Sequence, residues 1–350
     1  MFKKIIFILS ISLLFSCSKK EDVNNDIDGI SNGGVFIVNE GNFSVANSSL
    51  SYYNPETSIV TNNMFYQVNN VPLGDVAQSI TINNELIYIV INNSGIIYSI
   101  DRKTLEFKGK ISELASPRDM IFISDQKAYI SDLYSSSITI VNPTDYNIIG
   151  KIELGKSSDC MVKYDDEVFI ANWSSYAQTK VNNTIMVVNS ENDMLTDSIV
   201  IGVEPNSMVI DVEDQLWVLC SGGFMNDEMP TLWKINLYTH EIIKQFIFAD
   251  IQKNPDNLCI NGTGDSLYFL NDGVTVMSIH DQQLPDNMLI DENNRNFYLL
   301  GLSSVDNEIF VSDALDYNQN GVIYRYKTNG KLISSFEVGI IPGCFAFNNQ

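Results

Sequence analysis

Histidine and positively charged side chains are scarce in this sequence. Its 350 residues include two histidines, and 21 lysines and arginines stand against 43 acidic residues, for a formal net charge of −22. Two histidines leave little room for a histidine-rich metal site or a serine–histidine–aspartate triad. Nucleic-acid binding is disfavoured as well, because phosphate contacts need clustered lysine and arginine. We therefore expect no catalytic residues, no bound metal and no cofactor.

Strong helix formers are also scarce. The sequence has nine alanines against 39 asparagines, and asparagine favours turns whereas alanine favours helices. Hydrophobic residues make up 45% of the chain, which is an ordinary share for a folded globular protein. The composition therefore predicts a folded protein that is rich in strands and turns.

Residues 1–16 have the features of a signal peptide. Two lysines precede an apolar run over residues 5–15, which is too short to span a bilayer comfortably. The run leads into the sequence Leu-Phe-Ser-Cys at residues 14–17. This sequence resembles the bacterial lipobox, with phenylalanine in place of the usual small residue. The resemblance implies cleavage before Cys17 and lipidation of that cysteine.

Residues 17–32 are polar and predict a lipidated flexible tether. The sequence Ser-Lys-Lys-Glu-Asp at residues 18–22 resembles the export tag of Bacteroidetes surface lipoproteins. That resemblance implies an outer-membrane protein that faces the cell exterior. The lipid anchor would be its contact with the membrane.

An internal repeat predicts the fold of residues 33–350. One unit of four short strands and polar turns recurs seven times, and the second strand of each unit is centred on an aromatic residue. These aromatics recur every 40–52 residues, the length of a four-stranded propeller blade. They are Phe36, Tyr88, Tyr129, Phe169, Trp217, Tyr268 and Phe310. The repeat predicts an all-β protein, a seven-bladed β-propeller with four-stranded antiparallel blades.

The two ends of the repeat region predict how the propeller closes. The first unit begins at its aromatic strand, Val35–Val38, and has no inner strand before it. The last residues, Ile341–Phe347, look like the inner strands at Pro205–Ile210 and Pro255–Ile260. We therefore expect the C-terminal strand to complete blade one and remove an exposed sheet edge. The regular unit length argues against an array of β-sandwiches.

The opening of the repeat region resembles a known family. Gly34–Asn42, Ser49–Tyr52 and Leu73–Asp75 resemble the surface propeller lipoproteins of Bacteroidetes, the BtuG type among them. The blade pattern is also similar to the wider YncE-like propellers. The resemblance implies capture of a scarce nutrient, cobalamin or a related corrinoid, for a TonB-dependent outer-membrane transporter. A metal chelate or a glycan is an alternative ligand.

Loop lengths predict where a ligand binds. Loops between the second and third strands are longest at residues 39–47, 172–182, 221–230 and 313–320, all on one face. Aromatic residues with polar neighbours on such loops suit a large amphipathic ligand, or they fold back as loop anchors. The candidate ligand-binding residues on loops of this type are Asn42, Phe43, Asn92, Tyr134, Trp173, Tyr176, Phe224, Met225 and Tyr317.

Polar residues at the starts of the inner strands predict a ring around the central channel on the same face. The ring consists of Gln78, Asp119, Asp159, Asn206, Asn257 and Gly343. Arg118 is the nearby cation. The ring either binds ligand, through Arg118 and the aspartates and asparagines, or solvates a water-filled channel.

Other functions have less support in the sequence. His240 and His280 lie in turns of different blades on the opposite face, and residues 316–320 match a calcium loop only in part. Two rival functions remain open. One is a structural or adhesion protein that binds a macromolecule, and the other is a metal-dependent hydrolase of the propeller lactonase type. Asp119 and Asp159 in adjacent blades keep the hydrolase possible.

Overall fold

The computed structural model describes residues 30–174 and 182–349. Within these ranges, 28 strands form seven four-stranded antiparallel sheets, and the predicted seven-bladed β-propeller is confirmed. The predicted signal peptide, Cys17 and the tether up to residue 29 lie outside the described residues, and so does Tyr176. The described end of the tether, residues 30–32, contacts blade one, where the Ser31 backbone N–H donates to the Tyr52 hydroxyl.

The strands are numbered in chain order. The three strands that begin blade one are β1 (Gly34–Asn39), β2 (Ser49–Asn54) and β3 (Ile59–Thr61). Blade two comprises β4 (Ala77–Asn83), β5 (Leu86–Ile91), β6 (Ile96–Asp101) and β7 (Phe107–Ile111). Blade three comprises β8 (Pro117–Ser124), β9 (Lys127–Asp132), β10 (Ser137–Asn142) and β11 (Asn147–Glu153). Blade four comprises β12 (Met161–Tyr164), β13 (Glu167–Ala171), β14 (Thr184–Asn189) and β15 (Met194–Val200).

The remaining blades follow the same order. Blade five comprises β16 (Pro205–Ile210), β17 (Gln215–Cys220), β18 (Thr231–Asn236) and β19 (Ile242–Ile247). Blade six comprises β20 (Asp256–Ile260), β21 (Ser266–Leu270), β22 (Gly273–Ser278) and β23 (Ile290–Asp291). Blade seven comprises β24 (Phe297–Leu302), β25 (Ile309–Asp313), β26 (Asn320–Tyr326) and β27 (Leu332–Ile340), and the last strand is β28 (Pro342–Asn348). Within the described ranges, the single helix α1 (Met64–Asn69) has six residues, and no helix is long and apolar enough to cross a membrane.

The core lies between neighbouring blades. All seven repeat aromatics are buried in the second strands of their blades, where they pack against side chains of the adjacent sheet. Trp217, for example, shares a buried cluster with Leu267 and Phe269 of blade six, and within its own blade it stacks on Phe246 and its indole N–H donates to the Asp211 carboxylate at 2.7 Å. Burial of one large apolar side chain stabilises a protein by about 1.5–3 kcal/mol. The spacing that identified the blades is therefore also the spacing of the core.

The C-terminal strand closes the ring as predicted. β28 pairs antiparallel with β1, with Gly34 opposite Asn348 and Val38 opposite Cys344. The Asn348 side chain fastens this junction, because its amide donates to the Ser31 carbonyl and its oxygen accepts from Arg102 of blade two. Blade one therefore combines strands from the two ends of the described chain.

The two faces of the propeller differ in their connections. We call the face that carries the loops between second and third strands the loop face, and the opposite one the turn face. In blades one, two, four and five the turn between the third and fourth strands is short and follows a shared pattern, in which an Asn or Asp at the end of the third strand accepts from backbone N–H groups two and three residues later. Asn236 does so from Tyr238 and Thr239, and Asp101 from Lys103 and Thr104. This role accounts for part of the asparagine excess.

Candidate functional site

A cavity of about 610 Å³ opens at the propeller axis on the loop face. We call it the axial cavity. The six predicted ring residues and Arg118 all line it, because each sits at the start of an inner strand. Blade seven contributes Tyr298 of β24, which holds the position that Asn206 holds in β16. The inner strands therefore build one polar site from all seven blades.

Arg118 lies on the wall of this site. Its Nε donates to Asp159 Oδ1 at 2.8 Å, its Nη1 to Gln78 Oε1 at 2.6 Å and its Nη2 to Asp159 Oδ2 at 3.4 Å. The Trp173 ring covers the guanidinium, with its centroid 5.3 Å from Arg118 Cζ. Both members of the ion pair are largely buried, at 13% and 10% side-chain exposure. Arg118 therefore links three neighbouring blades, two, three and four, at the cavity wall.

Glu40 lies directly after β1 and reaches into the axial cavity. Burial raises its pKa to about 7, although a hydrogen bond from the Tyr298 hydroxyl (3.0 Å) and the charge of Arg118 both act to lower it. The same burial, together with the Glu40 charge, raises the pKa of Tyr298 well above its usual value. A Cβ atom at Gly343 would collide with the Glu40 carboxyl group, so glycine at this ring position leaves room for it.

Two further carboxyl groups in the axial cavity are shifted in the same direction. Burial raises the pKa of Asp119 to about 6, opposed by hydrogen bonds from the backbone N–H groups of Met161 and Met120. Burial also raises the pKa of Asp256 to about 6, opposed by the Asn257 N–H group at 2.7 Å. These groups change charge in the range between weakly acidic and neutral pH.

Aromatic side chains form part of the rim. Trp173 and Phe224 stack with ring centroids 6.4 Å apart and planes 2° apart, and a second cavity of about 200 Å³ lies against both. Phe224 is 69% exposed. Tyr317 packs edge-on against Tyr298 with centroids 5.9 Å apart. Two parts of the rim of the axial cavity therefore present flat apolar surfaces next to its polar floor.

The other predicted loop residues lie outside the lining of the axial cavity. Asn42 donates to the Tyr317 backbone carbonyl at 2.6 Å, and Asn92 donates to the Ser116 hydroxyl and the Pro117 carbonyl, both at 2.9 Å. Both amides therefore hold loops together. Phe43, Tyr134 and Met225 are exposed side chains of the loop face.

Residues 33–347 match the profile of the family described as "Domain of unknown function (DUF5074)". The chain belongs to this family. Comparison with curated proteins gives no match.

Solved structures similar to this DUF5074 chain show the same fold. A quinonprotein alcohol dehydrogenase-like protein from Bacteroides thetaiotaomicron is 14% identical, with a TM-score of 0.72 over 91% of this chain and 79% of that one. A functionally unknown protein from Desulfotomaculum acetoxidans is 13% identical, with a TM-score of 0.65 over 91% and 99%. A candidate 6-phosphogluconolactonase from Bacteroides fragilis is 14% identical, with a TM-score of 0.62 over 90% and 98%. At these identities the likeness supports the fold alone.

Sequence reasoning missed three acidic or aromatic residues of the DUF5074 site. Glu40 begins the first long loop, and its position after a buried strand was the available signal. Asp256 precedes the predicted Asn257, and an irregularity in the pairing of β20 with β21 brings both to the cavity. Tyr298 could have been found by extending the ring to blade seven.

The remaining reactive side chains of the DUF5074 chain are engaged elsewhere. In residues 30–174 and 182–349, no group of three or more His, Cys, Asp or Glu residues is placed to hold a metal. In the loop that partly resembled a calcium site, Asp316 accepts from the backbone N–H groups of Asn318 and Gln319. His240 lies on the turn face, as expected, between Glu167 and Asp197. The free thiols with raised pKa values, caused mainly by burial, are Cys160, Cys220, Cys259 and Cys344.

Proposed function

We propose that this propeller captures a polar nutrient in its axial cavity and passes it to a TonB-dependent outer-membrane transporter. The observation that carries the proposal is the axial cavity itself. Ligand sites are concave, and they combine apolar and aromatic surface with a few placed polar groups. Here a floor built from all seven blades lies between the Trp173–Phe224 stack and Tyr317.

A corrinoid is the ligand that we propose first. It is a flat macrocycle with amide side chains, so its faces suit exposed aromatic rings and its amide N–H groups suit carboxylate acceptors. Trp173 and Phe224 offer such rings, and Glu40 and Asp256 offer such acceptors. A corrinoid would rest on the rim and insert part of its periphery into the cavity.

The course of the chain supports this function. β1 starts at the turn face and ends at the loop face, where Glu40 follows. A lipid-anchored tether before residue 30 would therefore join the propeller at the turn face. It would leave the axial cavity open to a ligand and to a docked transporter.

Calorimetric titration of the whole protein in detergent tests the proposal, with cyanocobalamin and dicyanocobinamide as the probes. We expect one corrinoid per protein and affinity that falls by about tenfold or more in W173A/F224A. F43A/Y134A is the matched control, because it also removes two loop-face aromatics, of which Phe43 is 71% exposed. The absence of binding by both corrinoids would overturn the corrinoid assignment. Unchanged affinity in W173A/F224A would overturn the choice of site.

Acid–base hydrolysis is a second candidate function. Glu40 favours it, because a carboxyl group with a pKa of about 7 that contacts a tyrosine hydroxyl is suited to proton transfer near neutral pH. The experiment is a pH-stat assay of the whole protein with 6-phosphogluconolactone. Hydrolysis above the uncatalysed rate that is lost in E40Q would support an enzyme. A rate equal to the uncatalysed one would remove this substrate from consideration.

A further inference from the structure

We propose that the axial cavity selects ligands with a positively charged amine, which it places beside Tyr298 between the carboxylates of Glu40 and Asp256. This inference rests on the proposed capture function and concerns the polar floor of the cavity, whereas the corrinoid is proposed for the aromatic rim. It predicts that a small organic cation binds at the floor and that a small neutral molecule of the same shape does not.

The charges that line the axial cavity are unbalanced. Six carboxyl groups line the cavity with one guanidinium, that of Arg118, which is the one cation among the described residues of the lining; they are Glu40, Asp119, Asp159, Asp256, Asp272 and Glu292. Asp159 is the partner of that cation, and Asp272 pairs with Lys253 outside the lining. Glu40, Asp119 and Asp256 make no salt bridge within the described chain. Burial of carboxylates without a cation is costly, and a cation supplied by the ligand would offset that cost.

Several hydrogen-bond donors of the cavity wall are already used by other groups of the protein. Each nitrogen of the Arg118 guanidinium already donates to Asp159 or Gln78. The side-chain amides of Asn206 and Asn257 donate to backbone carbonyls of the next blade, and Tyr298 donates to Glu40.

An acceptor remains without a partner. The side-chain oxygen of Asn271, which lines the same cavity, is buried and receives no hydrogen bond from the described residues. Asp256 uses one carboxylate oxygen for the Asn257 N–H group, and no described residue bonds to the other. At these two residues a ligand therefore complements the wall by donating hydrogen bonds.

Aromatic faces complete the recognition of a cation. Trp173, Phe297, Tyr298 and Tyr317 line the axial cavity together with the carboxyl groups. The face of an aromatic ring attracts an ammonium group, and a nearby carboxylate adds charge pairing to that attraction. The Tyr298 hydroxyl donates to Glu40 at 3.0 Å, and Asn257, the residue after Asp256, donates to the Tyr298 backbone carbonyl at 3.2 Å, so Tyr298 adjoins the segments that carry both carboxylates. The cavity disfavours an anionic ligand, because the Arg118 guanidinium is already paired with Asp159.

Calorimetry of the whole protein with a matched pair of small probes tests the inference. The probes are 1,6-diaminohexane and 1,6-hexanediol, which share length and shape and differ in charge. At about pH 8 and about 0.15 M salt, we expect one diamine per protein and no binding of the diol. The E40Q/D256N variant should bind the diamine with an affinity lower by about tenfold or more. E85Q/E106Q removes two carboxylates from the turn face and should bind as the parent protein does.

Several results would overturn the inference: equal binding of the diol, absence of saturable diamine binding, or an E40Q/D256N affinity equal to the parent's. The last result would indicate adsorption to surface acids. If E40Q/D256N does not fold, the parent protein is titrated at about pH 5 and about pH 8. Diamine affinity should rise with pH and protons should be released, and a flat profile would count against the site.

Parallel titration with the corrinoids separates this inference from the proposed function. Corrinoid binding without diamine binding would leave capture standing and remove the cation preference. Diamine binding without corrinoid binding would leave the cation site standing and remove the corrinoid assignment.

Discussion

The two faces of this propeller treat their acidic residues in opposite ways. On the loop face, burial raises the pKa of Glu40 to about 7 and that of Asp119 and Asp256 to about 6. On the turn face, a hydrogen bond from His240 lowers the pKa of Asp197, and hydrogen bonds from Asn261 and its neighbours lower that of Asp265. The difference is burial, which outweighs the hydrogen bonds of the axial carboxyl groups, whereas the hydrogen bonds of Asp197 and Asp265 outweigh the slight burial of those groups.

That difference separates structural acids from acids available to a ligand. Turn-face carboxylates hold turns and neighbouring blades through bonds that are already made. The axial carboxylates of Glu40, Asp119 and Asp256 cost stability when they ionise, and they form no salt bridge among the described residues, so a bound ligand would supply their cation. Four predictions examine this contrast, from the largest expected effect to the smallest.

Arg118 and Asp159 differ from the other charged groups of the axial cavity, because they form a buried ion pair. The R118M variant leaves Asp159 buried without its cation, so we expect a loss of about 3–5 kcal/mol in the free energy of unfolding. Urea denaturation at neutral pH measures it. The double variant R118M/D159L should recover much of the loss. If R118M costs less free energy of unfolding than the loss of a surface ion pair does, the axial cavity is more hydrated than the burial of Arg118 and Asp159 implies.

The axial acids should make stability fall as pH rises. The folded pKa of Glu40 is raised from 4.5 to about 7, so its contribution is present below about pH 4.5 and is lost as pH rises through 7. At about 1.4 kcal/mol per pKa unit, the loss is about 3 kcal/mol. Between about pH 5 and pH 8, the free energy of unfolding of the parent should fall relative to that of E40Q, so the two pH curves should diverge. Parallel curves would contradict the raised pKa.

His240 on the turn face should have a smaller and separate pH effect. Its pKa is raised, because hydrogen bonds to Asp197 and Glu167 outweigh the opposing effect of burial. Its contribution is therefore fully present below about pH 6.5 and is lost as pH rises through the folded pKa. H240Q should cost about 1 kcal/mol at pH 6 and less at pH 8. If H240Q costs the same free energy of unfolding at pH 6 and at pH 8, the effect comes from the packing of His240 against Phe169.

Lys103 and Glu85 form a turn-face ion pair at 3.2 Å, with side chains 65% and 64% exposed. Solvent screens such a pair, so K103A should change the free energy of unfolding by less than about 0.5 kcal/mol. Thermal unfolding compared with R118M provides the measurement. A cost close to that of R118M would remove the distinction between exposed and buried pairs.

The fold was predictable from the sequence because one physical constraint repeats. Each blade must bury one large aromatic at the same place, so the spacing of Phe36 to Phe310 marks the blades. The missing first strand and the extra last strand then required closure of blade one. These are local patterns that survive in a single sequence.

The site was only partly predictable. The ring position follows from strand order, which placed Arg118, Asp159 and Asn206 correctly on the cavity wall. Neighbours in space could not be inferred, so the contact of Glu40 with Tyr298, 258 residues apart, was missed. The conformation of the loops could not be predicted either, because the sequence does not show that Phe224 stacks on another ring and that Phe43 does not.

The pairing of β1 with β28 has a consequence for the order of events during synthesis. The seven residues of β28 are made after the other strands of the propeller, and until then β1 presents an unpaired edge. A chain truncated after residue 341 would keep that edge and would tend to associate with a second chain. Ring closure therefore depends on β28: only a chain that contains this strand can assemble the floor on which Glu40 and Gly343 meet.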